Sequence, residues 1–424
     1  MGRTPADGSM PDDDATDLES RAGRALLEVL RRTHLSAAAD LATVLAEEAR
    51  TLGVDSLVLY LIDYEQKLLV PVPSPEASGR EPLPVVGTMA GRAFASTSIV
   101  QVEADGGRGR RMWLPLLDGT ERLGVMDAGF LERSAPLQPE LVAVIERYAH
   151  LAALLVATKG LYSDVFELVR RRRPMTVASE LLWENVPPLL LASEDFVLSA
   201  LLEPCYDNGG DAFDYALNGD VLHIGVFDAM GHGLAAAGAV TYALSLYRHS
   251  RRRGLGPQGM YESIDAALDA RATTARFVTG VLAQLDVRTG HLRWVSAGHP
   301  SPLLLRDGRF IKTLDVEPSP PLGVQLATGP AVEGTEALQP GDMVLLYTDG
   351  LTEARRPGGD LFTVERLGHF IERQAANGRA APETLRLLRE AIIERGEGAL
   401  RDDATAVLVE WRRGTEGVVV PGTV

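Results

Sequence analysis

The chain has 424 residues, with 42 Lys and Arg against 58 Asp and Glu, for a net charge of −16. That charge excludes a general affinity for nucleic acid, whose phosphates it repels. The length exceeds one ordinary core, so two folded units are expected, and a single cysteine, Cys205, excludes an internal disulfide framework and fits a reducing, cytoplasmic compartment.

Met1 to Ser20 is rich in Asp, with Gly and Pro and no apolar h-region, so neither a signal peptide nor an anchor is expected and residues 1–21 read as a disordered tail. No uninterrupted apolar run approaches the roughly 20 residues that span a bilayer, so no membrane segment is expected. From about Leu27 to Leu52 the apolar spacing is helical, as in Leu41, Val44, Leu45, Ala49 and Leu52. DSLVLYLID at 55–63 and KLLVPV at 67–72 read as strands around a short turn. GTMAGRAFAS at 87–96 is followed by SIVQV, RMWLPLLDG and RLGVMDAGFL, with Asp118-Gly119 marking a hairpin. His34 and His150 have no His or Cys partner at metal-ligand spacing and read as surface or packing residues. The order of these elements across residues 22–157 resembles a GAF domain, a sensory module. The resemblance implies a small-molecule ligand pocket or none, and no chromophore cysteine is present, since Cys205 lies outside.

Leu141, Val144, Ile145, Tyr148, Leu151, Ala152 and Leu155 repeat at three and four, which predicts one long amphipathic helix. Packing on its own domain and pairing with its copy in a homodimer both remain open. Gly160 interrupts the pattern, Val165, Leu168 and Val169 resume it, and a further helix from Met175 to Asn185 stops at Pro187-Pro188. Residues 158–190 therefore read as a helical linker, 191–412 as a second folded unit and 413–424 as a tail. The runs Arg170 to Arg173 and Arg251 to Arg253 read as solvated helix ends rather than docking patches.

The most informative stretch of the second unit is DAFDYALNGDVLHIGVFD at 211–228. Asn218-Gly219 predicts a two-residue type I′ hairpin turn. Leu217 would then pair with Asp220 and Asp211 with Val226, placing Asp228 diagonally from Asp211 on the same face, roughly 7–8 Å away. Asp214 has the opposite parity and points through the other face. Two carboxylates on one face at a glycine-flanked strand end suit hard divalent cations, and equally read as solvated loop ends. GDMVLLYTDG at 341–350 ends in Asp349-Gly350, and RDDATAVLVE at 401–410 opens another β-rich run on an acidic pair. Further hairpin signals stand at Thr289-Gly290 and Asp307-Gly308, and helical stretches at about 233–250, 257–274, 363–376 and 381–395. Antiparallel strands with helices set apart from them indicate an α+β fold.

Taken in order, NGGDAFD at 208–214, FDAMGHG at 227–233, FVTGVLAQLD at 277–286, SAGHPSPLLL at 296–305, PPLGV at 320–324, LLYTDGLTEAR at 345–355 and RDDAT at 401–405 resemble the PPM-type metal-dependent serine/threonine protein phosphatases. The similarity is to the bacterial branch typified by stage II sporulation protein E and the sigma-factor regulatory phosphatases. It implies a sandwich of two antiparallel sheets flanked by helices, with the site at one edge. It further implies two Mn²⁺ or Mg²⁺ ions held by Asp211, Asp228, Asp349, Asp402 and the Ala229 carbonyl, with Asp228 bridging. Asp403 falls on a neighbouring position that need not ligate. The implied substrate is phosphoserine or phosphothreonine on an anti-sigma factor antagonist, under control of the GAF-like module. His232, four residues after the bridging Asp, is a candidate general acid beside a reading as a helix-start residue, and His299 reads as a structural turn residue. Two other readings compete: a sensor or scaffold protein that has lost catalysis, and a hydrolase of small phosphate esters.

Overall fold

The structure is a computed structural model that describes residues 12–103, 109–131, 137–207, 209–269, 277–324, 329–353, 362–395 and 402–412. The expected tail at 413–424, the first eleven residues, Asn208, Arg401, residues 354–355 and the end of the helix expected to reach 274 lie outside the described residues. The chain divides into two compact units, Met1–Arg172 and Arg173–Val424.

The first unit runs α1 (Asp12–Thr33), α2 (Leu41–Ala49), β1 (Ser56–Ile62), β2 (Leu68–Pro71), β3 (Leu83–Pro84), α3 (Met89–Ser96), β4 (Val100–Glu103), β5 (Arg110–Asp118), β6 (Glu121–Phe130), α4 (Pro139–Gly160) and α5 (Val165–Arg170). Its antiparallel sheet has the order β3-β2-β1-β6-β5-β4. The unbroken apolar run of β1 is explained by burial on both faces. Leu57, Leu59 and Leu61 pack under α1, α2 and α4, while Val58, Tyr60 and Ile62 pack with Ala90, Ala93 and Phe94 of α3.

Two expectations change here. The disordered reading of residues 1–21 fails from Asp12 onward, because Leu18, Ala22, Ala25 and Val29 fall on one helical face and enter the core. The stripe of α4 turns inward: Leu141, Ile145, Tyr148, Ala149 and Ala152 are buried in their own unit, and the Tyr148 hydroxyl donates to the Leu45 carbonyl at 2.7 Å. Packing on its own domain therefore explains this stripe, while Leu154 on α4 and Leu27 and Leu30 on α1 stay exposed. Among the described residues α4 is also the one helix long and apolar enough to cross a membrane, with mean hydropathy 1.6. Its apolar content is largely the face that fills this core.

The second unit runs α6 (Val177–Trp183), β7 (Leu190–Ala192), β8 (Phe196–Glu203), β9 (Asp211–Asn218), β10 (Val221–Ala229), α7 (Leu234–Arg252), α8 (Pro257–Asp269), β11 (Val278–Asp286), β12 (His291–Ala297), β13 (Leu303–Arg306), β14 (Arg309–Thr313), β15 (Gly334–Ala337), β16 (Met343–Tyr347), α9 (Gly350–Glu353), α10 (Val364–Ala376), α11 (Ala381–Arg395) and β17 (Ala404–Trp411). Two antiparallel sheets result, β15-β12-β11-β10-β9 and β14-β13-β16-β17-β8-β7.

Phe196, Leu198, Phe213, Ile224, Val226, Val281, Leu346 and Val407 interdigitate between the sheets. Burying side chains of this size stabilises by roughly 1.5–3 kcal/mol each. The alternate residues face outward: Ala212, Phe227 and Leu282 pack under α6, α7 and α8, and Leu345, Ala406 and Leu408 pack under α9, α10 and α11. This is the expected α+β sandwich of two antiparallel sheets flanked by helices. All three hairpin signals are realised, in β9–β10, β11–β12 and β13–β14.

Candidate metal centre

The β9–β10 hairpin departs from the expected register by two residues. Asn218 pairs with Val221, so Gly219-Asp220 forms the turn and Asp211 stands directly opposite Asp228. Gly219 takes the first turn position with φ 59°, and neither Asn218 nor Asp220 is left-handed. This is the φ pattern of a type II′ turn, in which the residue free of Cβ strain occupies the first central position. A slip of two preserves parity, so the assignment of faces survives while the two acids come closer than expected, to directly opposed positions.

Asp211 and Asp228 share the inward face with Phe213 and Val226. The opposite sheet brings its own acids to the same edge. Asp349 follows the end of β16, and Asp402-Asp403 precede β17, which pairs with β16. Thr348 ties the two sheets together: its hydroxyl donates to Asp211 Oδ2 at 2.6 Å and accepts from the Thr405 amide at 2.9 Å. Asp403 does the same for the loop before β9, its Oδ2 accepting from the Gly209 and Gly210 amides at 3.0 and 2.6 Å. Gly350 is required at the turn after Asp349, since a Cβ there would sit 1.8 Å from the Asp403 carbonyl oxygen.

The electrostatics are those of acids crowded at one edge. Burial, then the carboxylates of Asp349, Asp402 and Asp403, push Asp228 up to about 7. Burial, then Asp228 and Asp403, hold Asp211 well above the usual carboxylate range, with the Thr348 hydroxyl opposing. Asp349 is raised by burial and by Glu353 and Asp402. Asp403 is raised to about 6 by burial, against the Gly209 and Gly210 amides that favour its charged form. Among the described residues, the side chains acting on Asp228 are all carboxylates.

Each residue singled out in the sequence can now be placed. Asp211 is buried, Asp228 half-buried, and Asp349 and Asp402 are exposed at the mouth, with Asp402 Oδ1 accepting from the Asp403 amide at 2.9 Å. The Ala229 carbonyl oxygen would lie 3.1 Å from a Cβ at Gly210, so it borders the same loop. His232 is exposed between β10 and α7. Asp214 lies on the outward face, where Arg248 and Arg251 of α7 pair with it at 2.7 and 3.4 Å. Part of the second arginine run is thus a helix anchor rather than a solvated end. His299 is buried in the turn after β12. Thr348 was missed in the sequence, although it immediately precedes Asp349. Among the described residues no group of three or more His, Cys, Asp or Glu side chains is already set to hold a metal ion.

With this geometry in view, residues 218–412 match the family model described as stage II sporulation protein E (SpoIIE). The second unit contains a SpoIIE-family domain. The match begins after Asp211, which joins the site through its pairing with Asp228. Protein IcfG of Synechocystis is 26% identical over 256 residues, covering 53% of this chain and 40% of its own length. Phosphoserine phosphatase RsbU of Bacillus subtilis is 22% identical over 238 residues, covering 53% of this chain and 68% of its own. Phosphoserine phosphatase RsbP of the same organism is 27% identical over 133 residues, covering 30% and 32%. The chain thus spans less than half of two of these three relatives. Among solved structures, the RsbU and RsbW domains of a Mycobacterium tuberculosis protein align with TM-score 0.44 and 27% identity, over 54% of this chain and 62% of that one. RsbX in complex with magnesium aligns with TM-score 0.40 and 16% identity, over 52% and 98%.

Proposed function

We propose that this SpoIIE-family domain is a metal-dependent protein phosphatase that hydrolyses phosphoserine or phosphothreonine, with an anti-sigma factor antagonist as its substrate in the cytoplasm. The observation that carries the reading is the convergence of acids from two sheets at one edge, where the described side chains acting on Asp228 are the carboxylates of Asp349, Asp402 and Asp403. Hard oxygen donors in charge excess suit two Mn²⁺ or Mg²⁺ ions. Asp211, Asp228, Asp349, Asp402 and the Ala229 carbonyl would hold them. Asp349 and Asp402 are exposed, within reach of ions from solvent.

Bound there, the ions would supply an activated water and neutralise charge on the phosphoryl oxygens. The chain's own contribution is positional. Thr348 holds the Asp211 carboxylate and Asp403 holds the Gly209-Gly210 backbone. His232, exposed four residues after Asp228, would hand a proton to the departing serine oxygen. The names of RsbU and RsbP support phosphoserine as the substrate group.

The first unit, an antiparallel sheet with helices on both faces, supports a GAF-like sensor that sets phosphatase activity. A pocket of about 190 Å³ lined by Leu61, Leu123, Val156, Phe166 and Arg170 has room for a small ligand. Exposed Leu27 and Leu30 on α1, which packs against α4, support a homodimer through that face. The test is phosphate release by the full chain from a serine-phosphorylated anti-sigma antagonist. Release that requires Mn²⁺ or Mg²⁺ and is lost in His232→Ala supports the reading and the proton-donor role. Equal release in excess EDTA would refute the first, and an unchanged kcat in the variant would refute the second.

A further inference from the structure

His299 lies outside the set of acids, yet the structure builds it into the wall behind them. The residue is 7% exposed, so it cannot reach a phosphoprotein, which removes it as a general acid or base. Its turn is held by two reciprocal bonds, the Ser296 hydroxyl donating to the His299 carbonyl at 2.9 Å and accepting from the His299 amide at 3.3 Å. The ring therefore has a fixed entry point.

From that point it reaches β11. Nδ1 lies 2.9 Å from the Thr279 hydroxyl on β11, and the same hydroxyl lies 3.4 Å from the Asp228 carbonyl oxygen, with Thr279 and Asp228 directly paired across β10–β11. The turn itself crosses from β12 to β13, whose Leu303 pairs with Leu345 of β16, and among the described residues Nε2 has no hydrogen-bond partner. Tyr347 precedes Thr348, which holds Asp211, and Asp349. Burial, opposed only in part by the Tyr347 backbone, pulls the ring down to about 4 and keeps it neutral. A neutral imidazole thus backs the residue paired with Asp228, where an apolar side chain would fill the space without the polar tie.

We propose that His299 is a positioning residue: through Thr279 it fixes the backbone of Asp228, and so sets where that acid stands when it meets divalent metal. The inference rests on the metal-binding reading given above. Both members of the tie belong to the family-like segments FVTGVLAQLD and SAGHP, and neither is a ligand.

The test is calorimetric titration of Mn²⁺ into the full chain, with melting temperature in EDTA as a second readout. His299→Leu and Thr279→Val should each weaken Mn²⁺ binding at least tenfold. His299→Asn, whose amide lies where Nδ1 lies, should stay within about threefold of the wild type. The double variant His299→Leu with Thr279→Val should bind no more weakly than the worse single one, because both cut one chain of contacts. Loss of melting temperature with unchanged Mn²⁺ affinity in the Leu and Val variants would reduce His299 to a packing role and overturn the proposal, as would additive losses. If His299→Leu does not fold, the near-isosteric Thr279→Val decides alone. A wild-type chain that binds no Mn²⁺ overturns the metal reading together with this one, whereas wild-type binding with unaffected variants overturns only this one.

Discussion

Replacing Asp228 by Asn should stabilise the metal-free protein and at the same time abolish its response to metal. Burial and three neighbouring carboxylates lift Asp228 from 3.8 to about 7, which at about 1.36 kcal/mol per pH unit is a penalty of ~4 kcal/mol on the ionised form. Asp228 is only half-buried, so solvent screening reduces this to about 2 kcal/mol. The folded state keeps the proton between pH 3.8 and about 7, where the unfolded chain has lost it. Stability is therefore present below 3.8 and is lost as pH rises through that window. Asn carries no such charge, so its advantage is full at pH 8 and vanishes near pH 4. In a unit of this size about 2 kcal/mol corresponds to a rise of roughly 4–8 °C in melting temperature. Differential scanning calorimetry in EDTA at both pH values measures this. Mn²⁺ at a hundred times its Kd should then raise wild-type stability by about 2.7 kcal/mol and the variant far less. No gain for the variant in EDTA at pH 8, or an equal gain from Mn²⁺ in both proteins, would refute the reasoning.

Asp211→Ala and Asp214→Ala should separate function from anchoring. The first should lose Mn²⁺ affinity by a large factor in calorimetry. The second should leave affinity within a few-fold but cost about 2 kcal/mol in urea unfolding, because Arg248 and Arg251 lose a buried partner. Gly350→Ala should lower soluble yield or melting temperature sharply, since its Cβ would lie 1.8 Å from a backbone oxygen that cannot give way, and wild-type stability would argue against the packed turn after Asp349. Ile145→Lys should unfold the first unit by circular dichroism, because Ile145 is fully buried and an unpaired core charge costs several kcal/mol. Leu154→Lys, with Leu154 51% exposed, should leave it folded and, if the outer face of α1 and α4 pairs two chains, give monomers in light scattering.

How far the sequence could be read depended on the range of each interaction. Alternation along 211–228 put Asp211 and Asp228 on one face and Asp214 on the other, because parity survives a slip of two residues. The slip itself was invisible, since Asn218-Gly219 allows either turn and only the φ of Gly219 shows which formed. Helical spacing found α4, but which stripe would face the sheet depends on partners a hundred residues away, such as the Leu45 carbonyl that receives Tyr148. Leu18 was overlooked because the Asp-rich composition around it was read as a block, although its spacing to Ala22, Ala25 and Val29 was already helical. The ties through Thr348, Asp403 and His299 join segments 20 to 194 residues apart, and no local pattern encodes such contacts. The acids themselves stood out only because their segments occur together and in order.

The most direct measurement of the central claim is a crystal structure of the full chain grown with Mn²⁺ and recorded at the manganese absorption edge. The account predicts anomalous peaks between Asp211, Asp228, Asp349 and Asp402, with Asp228 shared and Asp214 still paired to Arg248. Peaks elsewhere, or none at the strand ends with these carboxylates ordered and apart, would contradict it.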